Sequence, residues 1–217
     1  MDTTTLAASA GTIGVPGEGR VRVEPDVADL RLGVVSIRPT ASTARAAAAE
    51  TMAAVLASLV GAGVERRDLR TSLVGLDAVH DYSSPAGPIV TGYQMTNTVE
   101  ATVRAIETVG GVIDAALAAG ATTMDGLGFR LADPTAALAE ARRLAVADAR
   151  ERATTLATEA GVALGAVVAI VEGGGLVPGP PRPVAEFRMK AAADVTTPVE
   201  AGTSELTVSV AVTFAIA

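Results

Sequence analysis

Residues 19–63 read GRVRVEPDVADLRLGVVSIRPTASTARAAAAETMAAVLASLVGAG, and this stretch decides the fold class. Val21 and Val23 alternate with Arg20 and Arg22, and Pro25 with Asp26 makes a turn, so the first arm of a hairpin is expected here. In the second arm Ala28, Leu30, Leu32 and Val34 alternate with Asp29, Arg31 and Gly33, the period-2 pattern of a strand with one wet face. Pro39 ends it. The period then changes: Ala41, Ala44, Ala48, Met52, Val55 and Leu59 step by three and four behind Thr40 or Ser42 as cap, and Gly61 and Gly63 stop the helix. Paired strands interrupted by a helix predict an α+β protein.

Outward from this segment the two periods recur. Asp68–Tyr82 reads as a weaker strand broken by Gly75. Ser83, Ser84, Pro85, Gly87 and Pro88 form a turn, and Ile89–Arg104 extends again, giving a long hairpin. Ile106, Val109, Ile113 and Leu117 lie on one helical stripe ending at Gly120, and Leu127, Phe129 and Leu131 alternate in a short strand. Asp133 caps and Pro134 opens the longest helix, with the stripe Leu138, Ala141, Ala145, Ala149, Ala153, Leu156 and Ala160, an exposed Asp148 to Arg152 pair, and Gly161 at its end. Ala166–Val171 is apolar on both faces. Leu206, Val208, Val210, Val212, Phe214 and Ile216 alternate without a break. The expected architecture is antiparallel hairpins and sheet with three helices packed on one side. Residues 1–11 are expected as a flexible N-terminus, ahead of one domain over 12–217 with a Gly/Pro-rich loop at 173–202.

Composition narrows the function classes. The 217 residues hold 17 Lys and Arg against 24 Asp and Glu, a net charge of −7, which removes a basic nucleic-acid binder as the default. Aromatics make up 2% of the chain, too few for stacking platforms under single-stranded nucleic acid. The absence of cysteine excludes disulfides, thiolate zinc sites, iron–sulfur clusters and a cysteine nucleophile together. Uncharged apolar runs such as Val162–Val171 fall short of the roughly 18 residues of a membrane span. Met1–Gly11 has neither a basic n-region nor an apolar h-region, so the chain is expected either to stay in the cytoplasm or to have lost a signal peptide.

Few residues suggest chemistry. The single histidine, His80, lies near Asp77 and Asp81, three potential ligands for a metal-dependent enzyme, although in an extended segment positions 77 and 80 point to opposite faces. Gly14, Gly17 and Gly19 precede a strand, whereas a dinucleotide-binding loop follows one and opens a helix. Glu24, Asp26 and Glu186 have no partner for acid–base work. Arg142, Arg143, Arg150 and Arg152, interleaved with Glu140, Asp148, Glu151 and Glu159, read as a solvated helix face. No cofactor is expected. The more informative anomaly is the doubly apolar strand beside a loop carrying Leu176, Val177, Phe187 and Met189, candidate contacts for a neighbouring subunit or for their own domain.

A family resemblance gathers these residues. Val15, Gly17, Glu18, Gly19, Arg20 and Val21, then Pro25, Asp26, Ala28, Leu32, Gly33 and Val34, resemble the opening of SIMPL-domain proteins. Asp68–Ser72, Thr91–Tyr93 with Asn97–Val99, Gly120 with Ala121, Gly126 with Phe129, the alanine-rich run Ala141–Gly165, and Thr197, Pro198, Gly202 and Val208–Phe214 follow in order. The resemblance covers about Thr12 to Ala217. It implies an α+β fold, frequent export to the bacterial periplasm or envelope, a link to oxidative-stress defence, assembly into large hollow oligomers, and no catalytic residues. Through the mammalian signalling adaptor that names the family it also implies protein partners, so a monomeric adaptor stands beside the homo-oligomer as a reading. Gly17, Gly19 and Gly92 read as positions of backbone freedom, and Tyr93 as a half-buried ring.

Overall fold

A computed structural model describes residues 11–85, 87–173 and 196–217. The elements in chain order are β1 (Thr12–Val23), β2 (Val27–Arg38), α1 (Ala41–Gly61), β3 (Leu69–Asp81), β4 (Ile89–Val103), α2 (Val109–Ala118), β5 (Thr123–Arg130), α3 (Thr135–Glu159), β6 (Leu164–Glu172) and β7 (Ser204–Ile216). The fold is α+β, with three helices and seven antiparallel strands in two sheets. One compact unit takes the described parts of 1–24, 133–183 and 202–217, the other those of 25–132 and 184–201.

The first unit is a three-stranded sheet in the order β1-β7-β6 with α3 on one face. Every α3 residue that is buried is alanine, at 141, 145, 149, 153 and 157. Facing them, Val15, Gly17, Gly19 and Val21 of β1 stand opposite Val212, Val210, Val208 and Leu206 of β7. A Cβ on Gly17 would lie 2.1 Å from the Ala145 carbonyl oxygen, and one on Gly19 1.9 Å from that of Ala141. Neither glycine has positive φ. What fixes them is the close approach of helix to strand, not the conformational freedom expected from sequence. Leu156 and Ala160 leave the expected stripe, and Ala157 is buried instead, because strict four-residue spacing drifts round the helix and keeps contact with a twisted sheet.

The second unit is a four-stranded sheet, β3-β4-β2-β5, with α1 and α2 on one face. Thr40 caps α1, its hydroxyl accepting the Thr43 N–H at 3.2 Å, and Gly63 at φ 98° ends it as Val64 N–H reaches back to the Leu59 carbonyl. Ala44, Ala48, Met52, Val55 and Leu59 are buried as their spacing predicts. Among the described helices α1 is the one long and apolar enough to cross a membrane by length and composition, but those five residues pack into the core with β2 and β4. In α2 the buried stripe is Val109, Val112, Ile113 and Ala116, which leaves Leu117 exposed. The returning chain at 196–201 is latched to α2, where the Asp114 carboxylate accepts from Thr197 N–H at 3.1 Å and Thr197 Oγ1 at 2.6 Å.

The expected hairpin of β1 with β2 does not form. β1 pairs with β7 along its whole length, and β2 pairs with β4 and β5. Alternation marks each segment as a strand but carries no information on which strand lies beside it. The expected β3–β4 hairpin is present, its register shifts falling at Thr71/Leu73 and Val79/His80 rather than at Gly75.

Candidate functional site

Strand β6 follows from the β-branched run Val167, Val168, Ile170 and Val171. Among the described residues it is the last strand of its sheet and pairs only with β7. Helix α3 packs on β1 and β7, so the hydrophobic cluster beneath it ends at Leu164. On the far part of β6, α3 contributes an ion pair, Arg142 Nε with Glu172 at 3.1 Å. The register places Ile170 and Glu172 on the helix side, opposite Val212 and Val210, and Ala169 and Val171 on the other, opposite Thr213 and Ala211. Val168, Ile170 and Val171 are 61%, 52% and 63% exposed, so the doubly apolar strand read from sequence meets solvent on both faces. The opposite edge is different: α3 packs on β1, and its Asp148 carboxylate accepts the Glu18 N–H of that strand at 2.8 Å. That bond, with Arg152 on the same carboxylate, outweighs partial desolvation and holds Asp148 below its usual range.

A second apolar surface lies on the β3–β4 hairpin. The two strands pair out to Asp81 and Ile89, but β2 follows β4 only to Arg38 opposite Tyr93. Beyond that point a two-stranded ribbon continues alone, and such ribbons are marginal in water unless something packs on them. Ile89 and Val90 are exposed on this arm and Tyr82 at its end is 77% exposed, while Leu73, Val74 and Leu76 are exposed on the adjoining part of β3, where β2 still flanks β4. Sequence reasoning missed these residues. The available signal was the run Leu73, Val74 and Leu76, which breaks strict alternation and puts apolar groups on both faces.

The arm also carries His80 and Asp81, with Asp77 just before it on β3. The shift at Val79/His80 puts its extra residue, Thr91, on β4, so β3 alternates without interruption from Asp77, opposite Gln94, to His80, opposite Val90, and the odd spacing keeps the two on opposite faces. His80 lies beside Tyr82, ring centroids 6.0 Å apart. Asp81 turns away to accept the Ser83 N–H at 2.8 Å, which lowers its carboxyl pKa. Among the described residues no group of three His, Asp or Glu side chains could hold a metal ion. On α3 Arg143 pairs with Glu140, Arg152 with Asp148, and Arg150 lies over the Phe214 ring at 5.9 Å. Leu176, Val177, Phe187 and Met189 lie outside the described residues. The surfaces that remain offer burial of apolar area, the chemistry of association.

Comparison with known proteins places this geometry. The sequence pattern of SIMPL, described as a protein of unknown function (DUF541), matches residues 13–214. The 26 kDa periplasmic immunogenic protein of Brucella melitensis biotype 1 is 37% identical over 94% of this chain and 84% of that protein. The uncharacterized protein YggE of Escherichia coli K12 is 28% identical over 65% of this chain and 57% of that protein. Neither name is that of an enzyme.

Proposed function

Since the chain belongs to the SIMPL family, we propose that it is a non-enzymatic, self-assembling protein of the bacterial envelope whose copies associate through apolar strands. The observation that carries this reading is β6, an edge with no second partner strand among the described residues and with Val168, Ile170 and Val171 open to solvent. Full burial of a Val or Ile side chain is worth about 2 kcal/mol, so covering these three residues together with Val167, 38% exposed, gains roughly 4 kcal/mol per copy. A symmetric assembly collects this gain at every interface. The β3–β4 arm adds a second patch, and Leu176, Val177, Phe187 and Met189 join the proposal from the sequence. The periplasmic name of the Brucella relative supports an envelope setting.

The link to oxidative-stress defence rests on the family resemblance. A chain without cysteine does not reduce peroxide by thiol chemistry. The test is sedimentation of Val168→Asp/Ile170→Asp beside the wild type. Dissociation with an unchanged circular dichroism spectrum supports the proposal. An unchanged sedimentation coefficient removes β6 from the interface.

A further inference from the structure

The face of the β3-β4-β2-β5 sheet turned away from α1 and α2 carries a charged row. In register, Arg70, Glu100, Arg31 and Gly126 stand side by side across its four strands. On Glu100, Oε1 accepts from Arg31 Nη2 at 2.7 Å and Nε at 3.2 Å, while Oε2 accepts from Arg70 Nη2. Flanking ion pairs are one-to-one and two-pronged: Arg130 on Asp29, and Arg104 on Asp68. Among the described residues Glu100 alone is shared between two guanidinium groups. One positive charge is therefore in surplus at this row, although residues 25–132 as a whole hold eight arginines against eleven Asp and Glu. The surplus is accessible, because Arg70 reaches Glu100 with one nitrogen and its side chain is 77% exposed.

The fourth position of the row is empty of side chain. A Cβ on Gly126, or on Gly128 farther along β5, would meet nothing within 4 Å. The row thus ends on a bare backbone shelf, within a groove of ≈ 680 Å³ lined by these residues. Register shifts at Arg31/Leu32 and Thr71/Leu73 lie next to the row on the same side of it, and such irregularities are over-represented beside binding and active sites.

We propose that this groove binds a small polycarboxylate. One carboxylate sits between Arg31 and Arg70 above Glu100, and the remainder lies over Gly126 and Gly128. The neighbouring Arg104 and Arg130 each hold a carboxylate with two nitrogens on two oxygens, and a planar carboxylate is likewise the anion matched to the nitrogens that Arg31 and Arg70 leave free beside Glu100. The groove is open, so binding weakens as salt rises.

The experiment is a nuclear magnetic resonance titration of the full chain with citrate and, separately, inorganic phosphate. Citrate is expected to give saturable shifts at the amides of 31, 70, 100 and 126, and Arg31→Gln/Arg70→Gln to weaken it by about tenfold or more. Arg31→Lys/Arg70→Lys keeps the charge, removes the forks, and is expected to weaken citrate as well. Arg45→Gln/Arg66→Gln removes the same charge elsewhere and is expected to leave it unchanged. Absence of saturation by about 20 mM citrate, equal binding by either Arg31/Arg70 double variant, or phosphate binding as tight as citrate overturns the proposal.

Discussion

Replacing Gly19 by alanine adds one methyl group where the structure has no room for it. Its Cβ would lie 1.9 Å from the Ala141 carbonyl oxygen and 2.6 Å from the Ala145 nitrogen, whereas ordinary contact begins at 3.4 Å. Both obstacles are helix backbone, so no rotamer change relieves the clash, and α3 must retreat locally by about 1.5 Å, the shortfall to ordinary contact. Retreat loosens a seam in which Ala141, Ala145, Ala149 and Ala153 are completely buried. Overpacking a core costs roughly 1–3 kcal/mol, and a backbone obstacle puts Gly19→Ala at about 3 kcal/mol or above. At roughly 2–4 °C per kcal/mol for a chain of this size, Tm should fall by about 6–12 °C. Thermal unfolding followed by circular dichroism measures this, with Gly14→Ala as control: in the same strand its Cβ would meet only Thr213 Oγ1, at 3.9 Å. If Gly19→Ala melts within about 2 °C of wild type while Gly14→Ala behaves alike, close helix–strand approach is not what selects glycine there.

Asp114→Ala removes the acceptor of both Thr197 hydrogen bonds and should cost about 1–3 kcal/mol, read as a lower urea midpoint with unchanged slope. Ser36 Oγ is buried without a hydrogen-bond partner among the described residues, so Ser36→Ala should be neutral or raise Tm. Acid should destabilise the protein with a definite sign. Burial raises the Asp29 carboxyl, but the Arg130 and Thr102 hydrogen bonds outweigh it; Arg104 lowers Asp68, and Arg70 and then Arg31 lower Glu100. Carboxyls depressed in the folded state contribute stability that is complete above the ordinary values of 3.8 and 4.5 and is lost as pH falls through the lower folded ones. Urea midpoints flat above about pH 5 and falling towards pH 3 are expected, and a midpoint that rises on acidification contradicts these pairings.

Element types were legible because each period has a physical cause. The stripe Ala44, Ala48, Met52, Val55 and Leu59 is buried as its spacing requires, and the alternation in β7 points Val208, Val210, Val212 and Phe214 inward. Partnership was not legible. β1 finds β7 nearly 200 residues away, since hydrogen-bonding edges carry no residue code and sequence adjacency favoured β2. The doubly apolar character of β6 was readable from its composition, whereas the uncovered β3–β4 arm was not. Its exposure depends on where β2 stops, which only the assembled sheet shows. The charged row across Arg70, Glu100 and Arg31 was equally hidden, because its members lie 69 and 30 residues apart and meet only through register.

The central claim is that the exposed apolar strands are covered by further copies of the chain. Light scattering on the purified protein, over a dilution series through the micromolar range, tests it most directly. The account predicts a discrete mass at an integer multiple, two or greater, of 21.6 kDa that persists on dilution, as an interface of about 2,000 Å² or more sustains. A mass of 21.6 kDa throughout the series contradicts it.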